Sequence, residues 1–86
     1  MKRFVVERTF PQELEMTPEL NSTAVEQFKQ DGIEWLYSFL SADKKKTYCL
    51  YEAPDPSAIR ASSEKLNLPI DSIVELSGEL RPNTFA

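Results

Sequence analysis

Residues 33–53 decide the fold: Ile33 to Leu40 (IEWLYSFL), Ser41 to Lys45 (SADKK) and Lys46 to Ala53 (KTYCLYEA). In the first run Ile33, Trp35, Tyr37 and Phe39 alternate with Glu34, Leu36, Ser38 and Leu40. That is the two-residue period of a strand, and the leucines make its second side apolar as well. The last run is again rich in β-branched and aromatic residues, and the intervening Asp43-Lys44-Lys45-Lys46 suits a solvated turn. Together the three pieces predict a β-hairpin.

Upstream, Arg3 to Phe10 (RFVVERTF) reads as a first strand, ended by Pro11, which has no donor for a ladder. A linker, Gln12 to Met16, leads to Thr17-Pro18-Glu19, where an N-cap threonine, a proline at the first helical position and an early acid open a helix. The weak helix formers Asn21-Ser22-Thr23 also allow a later start. Leu20, Ala24 and Phe28, with Val25 beside them, give that helix an apolar face, and Asp31-Gly32 stops it.

Downstream, Asp55-Pro56 repeats the cap and proline logic for a helix to about Leu66, with Ile59, Ser62, Ser63 and Leu66 near one face and Asn67 as a left-handed cap. A last strand is expected from Ile70 to about Leu80, with Val74, Leu76 and Leu80 in register and Gly78 at a bulge. The order βαββαβ predicts an α+β, ferredoxin-like sandwich, a four-stranded antiparallel sheet with two helices on one face. Two helices cover one side of the sheet only. The doubly apolar 33–40 strand therefore predicts a homodimer through the open sheet face.

The chain has 86 residues, which fits a single domain over 1–86. Its net charge of −4 speaks against nucleic acid as the main partner. The apolar run Phe4-Val5-Val6 is too short for an export signal, and no run approaches a membrane span, so the expected location is cytoplasmic, without a membrane partner. With no histidine and the single cysteine Cys49, neither a histidine-based triad nor a structural zinc site can be assembled. There is no phosphate-binding glycine loop and no G-x-S-x-G elbow; no cofactor and no metal site are expected.

Several short motifs occur in one order: Glu7-Arg8-Thr9-Phe10-Pro11; Trp35-x-x-Ser38; Asp43 with its basic turn and Thr47-x-Cys49-x-Tyr51; Ala53-Pro54-x-Pro56-x-Ala58-Ile59-Arg60; and Leu68-Pro69-x-Asp71. In this order the chain resembles a bacterial domain-of-unknown-function family typified by a small actinobacterial nickel-binding protein. The resemblance implies a ferredoxin-like fold that dimerises, frequently through its sheets. It does not carry over the nickel site, because the type member's site leans on histidine and this chain has none.

The candidate ligand-binding residues are Glu7, Arg8, Trp35, Tyr37 and Tyr51. Glu7 and Arg8 are adjacent on a strand and so point to opposite faces. With Phe4, Val6 and Phe10 as apolar neighbours, Arg8 is the one expected beside the core, where it would meet an anionic ligand, Glu7 of a partner subunit, or a carboxylate such as Glu52 or Glu75. Trp35, Tyr37, Tyr48 and Tyr51 could supply rings for a cavity between sheet and helices, but at this spacing they more often serve as plain core and dimer interface. Without a histidine base, Cys49 is a poor nucleophile. The sequence favours a non-enzymatic, dimeric, small-molecule or metal-associated binding protein and does not name its ligand. Its rivals are a cofactor-free dimeric α+β barrel enzyme of monooxygenase or isomerase type acting on a small aromatic substrate, and a module binding another protein.

Overall fold

The structure, a computed structural model, describes residues 1–83; residues 84–86, the end of the single domain expected over 1–86, lie outside them. The chain runs β1 (Lys2–Thr9), α1 (Pro18–Gln30), β2 (Glu34–Leu40), β3 (Lys46–Ala53), α2 (Pro56–Lys65) and β4 (Ser72–Leu76). The strands form one antiparallel sheet in the order β2-β3-β1-β4. It is the ferredoxin-like βαββαβ arrangement. Among the described residues no helix is long and apolar enough to cross a membrane.

Local chemistry sets the helix ends. Thr17 accepts a hydrogen bond from the Leu20 N–H through its side chain, so α1 starts at the threonine–proline signal and not at Asn21. Asp55 does the same for α2 through the Ala58 N–H. Gly32 and Asn67 take the left-handed conformation just past the helices, with φ of 76° and 56°. The apolar face of α1 is narrower than the spacing predicts: Ala24 and Phe28 are buried, whereas Leu20 and Val25 remain exposed.

Side-chain alternation sorts the sheet into two faces. Phe4 and Val6 of β1, with Cys49, Tyr51 and Ala53 of β3, meet Ala24 and Phe28 of α1 and Ile59 of α2 in one core. The opposite face carries an apolar row across all four strands, because Tyr37 stands opposite Leu50, Leu50 opposite Val5, and Val5 opposite Val74.

The strand β2 departs from simple alternation. Trp35 pairs with Tyr51 and Tyr37 with Leu50, so Leu36 is an extra residue forming a bulge. Trp35 and Ser38 consequently face the helices, whereas Tyr37 and Phe39 face outward. The expected alternation of Trp35, Tyr37 and Phe39 on one side is thereby corrected. The last strand is also shorter than expected. Leu76 pairs with Arg3, and β1 begins one residue earlier, so little of β1 remains to pair beyond Leu76; Gly78 is exposed coil and not a bulge.

Asp31 fastens the two helices together. Its carboxylate accepts from Ser62 Oγ, from Lys65 Nζ at 3.1 Å and from Gln27 Nε2 at 3.1 Å. The Ser62 hydroxyl, followed by the Lys65 ammonium, holds the Asp31 carboxyl below its ordinary range. A carboxyl depressed in the folded state adds stability above its unfolded value, and that stability is lost as pH falls through the folded value. As pH falls below about 4, the denaturation midpoint of the wild type is therefore expected to drop more steeply than that of Asp31→Asn. Parallel curves for the two proteins in urea titrations would contradict the link.

Candidate functional site

Arg8 is the deepest charged group, with 1% of its surface exposed. It faces the helices because Glu7 and Arg8 alternate along β1. Its Nη1 donates to the carbonyl of Pro69 at 3.0 Å, and its Nη2 donates to Tyr51 Oη and Ser63 Oγ, each at 3.0 Å. Its Cζ lies 5.7 Å from the centroid of the Tyr51 ring. The Nε hydrogen has no partner.

The carboxylate partners expected from the sequence are engaged elsewhere. Glu52 pairs with Arg3 at 3.1 Å, and Glu75 stands 3.9 Å from Lys2. Among the described residues no carboxylate comes within 4.0 Å of Arg8, which is held by neutral groups alone. Ser63 lies in the last turn of α2, so the negative end of that helix offsets part of the charge.

Around Arg8 lies a cavity of about 230 Å³ between the sheet and α1. Its apolar wall comes from Phe28, Trp35, Leu40 and Leu68, and its polar side from Arg8, Ser38, Thr47, Cys49 and Tyr51. The Phe28 ring packs 4.8 Å from that of Tyr51 and 6.3 Å from that of Trp35, centroid to centroid. Trp35 Nε1 donates to Ser38 Oγ at 2.8 Å, a pairing across the bulge that fixes the indole plane. Cys49 Sγ lies 3.5 Å from Thr47 Oγ1. Burial raises the Tyr51 hydroxyl well above its ordinary value, so it remains a neutral phenol at physiological pH.

The remaining wall is the segment between β1 and α1, which contributes Phe10, Leu14 and Met16. Two backbone bonds of 2.7 Å, Phe10 N–H to the Lys45 carbonyl and Leu14 N–H to the Lys44 carbonyl, clip this strap to the hairpin turn. Lys44 has φ of 60° there. The strap reads as a linker in the sequence because its apolar residues follow no period.

Of the five candidate residues, the structure brings Arg8, Trp35 and Tyr51 together at the cavity. Glu7 and Tyr37 lie on the other face of the sheet. Glu7 pairs with Lys46 at 3.2 Å and accepts from Ser72 Oγ at 2.9 Å; Ser72 first, then Lys46, hold its carboxyl below the usual range. Tyr37 makes an edge contact with Phe39, ring centroids 5.4 Å apart. Tyr48 is exposed on that outer face too, so of the four rings Trp35 and Tyr51 reach the cavity, where Phe28 of α1 joins them.

A nickel site does not fit these residues. Among the described residues no group of three or more cysteine, aspartate or glutamate side chains could hold a metal ion, and the chain has no imidazole.

No curated protein matches the sequence. Among solved structures, the fold is similar to that titled "Crystal structure analysis of SCO4226 from Streptomyces coelicolor A3(2)", with a TM-score of 0.70 and 17% identity over 91% of this chain and 99% of that one. The family described as nickel responsive protein SCO4226-like matches residues 4–76, which take in all six elements apart from the first two residues of β1. The chain belongs to the SCO4226-like family.

Proposed function

We propose that this chain is a small-molecule binding protein that works as a homodimer, with the cavity between sheet and α1 as its ligand site. The observation that carries the reading is the cavity itself, about 230 Å³ with mostly apolar walls and a few converging polar groups. Binding is favoured over the alternative of a cofactor-free enzyme by the character of those groups. No carboxylate lines the cavity among the described residues, and Tyr51 holds its proton too firmly to exchange it near neutral pH. The proposed setting is the bacterial cytoplasm, whose reducing conditions suit the free buried thiol of Cys49.

The volume lies below the range of about 300–1,000 Å³ usual for drug-sized ligands, which suits a single ring with a short side chain. The test is a titration with the neutral compound 3-phenylpropanol, followed through the indole N–H resonance of Trp35, the one tryptophan. Saturable shifts at Trp35 and Phe28, weakened by filling the cavity with Ala24→Phe, are the expected result. Shifts that stay linear in ligand concentration, or that ignore the filling substitution, would remove the reading.

The family's description as nickel responsive raises the metal question directly. One thiol without imidazole makes a poor nickel set, so calorimetry with nickel is expected to show no stoichiometric site tighter than about micromolar. A tight one-to-one isotherm, lost in Cys49→Ser, would reverse that expectation.

A further inference from the structure

A cation that is almost wholly enclosed needs an opposite charge, or it leaves part of its desolvation cost unmet. Arginine keeps its charge at any physiological pH, so Arg8 cannot relieve that cost by losing a proton. Its partners here are a carbonyl, two hydroxyls and the face of a ring, all neutral. The end of α2 adds roughly half a negative charge, which leaves the guanidinium only partly compensated. One of its five N–H donors, that on Nε, is buried without an acceptor. Arg8 also lines the cavity, whose other walls are mostly aromatic and aliphatic.

From this juxtaposition, and resting on the binding reading above, we infer that the ligand is an apolar monocarboxylate, an aryl- or alkyl-substituted acid. Its carboxylate accepts from the Arg8 guanidinium, and its apolar body packs against Phe28 and Trp35. The charge of the ligand follows from what surrounds Arg8. No second cation lines the cavity among the described residues, since Lys46 is spent on Glu7 at the other face. A dianion such as a phosphate monoester would keep one charge unmet, whereas a monoanion is matched. Tyr51, as a neutral phenol, gives the acid a further polar neighbour without repelling it.

The experiment compares 3-phenylpropanoate with 3-phenylpropanol by calorimetry, in the wild type and in Arg8→Met. In the wild type the acid is expected to bind at least tenfold more tightly than the alcohol, the scale of a hydrogen bond to a charged group. In Arg8→Met that advantage disappears while the alcohol still binds. If the alcohol binds and the acid is no tighter, or if the advantage survives in Arg8→Met, the carboxylate assignment is overturned and the cavity reading stands. If neither compound binds, both fall together. Should Arg8→Met fail to fold, the wild type decides alone. Lowering the pH through the ionisation of the ligand's own carboxyl must then bring its affinity down to that of the alcohol, and a pH-independent affinity refutes the assignment.

Discussion

Truncation of Phe28 to alanine is expected to cost about 3–5 kcal/mol, the usual loss for a phenylalanine removed from a packed core. Phe28 is 1% exposed, and it is the residue through which α1 meets the rings of Trp35 and Tyr51. Its ring also walls the cavity beside Arg8, so the space opened by truncation joins a hollow that already exists, and the surroundings have little means to close over it. A chain of 86 residues has on the order of 4–13 kcal/mol in hand. The melting temperature should accordingly drop by roughly 15–30 °C, and some preparations should be partly unfolded at room temperature. Phe28→Leu should fall well short of that loss. A calorimetric scan placing the alanine variant within a few degrees of wild type would mean that α1 repacks onto the sheet without its ring.

The second large effect concerns assembly. Phe39 is 64% exposed and Tyr37 49%, and they sit at one end of the outer face whose middle row is Tyr37, Leu50, Val5 and Val74. Most charges around that row are matched within the chain, Glu7 with Lys46 at 3.2 Å and Arg3 with Glu52 at 3.1 Å, and Glu34 stands at the edge opposite Glu52. An apolar centre with a largely neutralised rim can meet a second copy of itself with little like-charge repulsion, despite the net charge of −4. Light scattering at micromolar concentration is expected to give a mass near twice 9.9 kDa. Each substitution appears twice across a two-fold interface, so Phe39→Asp should weaken the dimer by more than about 4 kcal/mol, or roughly a thousandfold. A wild-type mass of one chain, or a dimer indifferent to Phe39→Asp and Tyr37→Asp together, would rule out the outer face.

The elements that could be read from the sequence are those whose signals are local. Thr17-Pro18 and Asp55-Pro56 carry their helix starts within three residues, and Gly32 and Asn67 mark the ends by the backbone conformation they accept. The alternation in Phe4, Val6 and Arg8 likewise placed the arginine on the core side of β1. What stayed hidden depends on the chain coming together. Arg8 meets Tyr51, Ser63 and Pro69 across 43, 55 and 61 positions, and no pattern within β1 distinguishes those neutral partners from Glu52 or Glu75. The phase of β2 was hidden for a different reason. With apolar residues on both sides of Ile33 to Leu40, hydrophobic period fits either phase equally well, and only pairing with β3 reveals which residue is supernumerary.

That extra residue makes β2 unusually tolerant of a shortened chain. Losing one residue from the middle of a strand normally inverts every side chain beyond it. At Leu36 the opposite holds, because the ladder already skips it. A protein lacking Leu36 would join Trp35 directly to Tyr37 in ordinary alternation, leaving Trp35, Ser38 and Leu40 toward the cavity and Tyr37 and Phe39 outward. Removing Tyr37 would restore the same alternation with Leu36 in the outward place, whereas removing Ser38 would turn the Tyr37 ring toward the cavity. Scanning single deletions along 34–40 for soluble, folded product should therefore show the mildest loss at Leu36, Tyr37 next, and a growing loss with distance from the bulge.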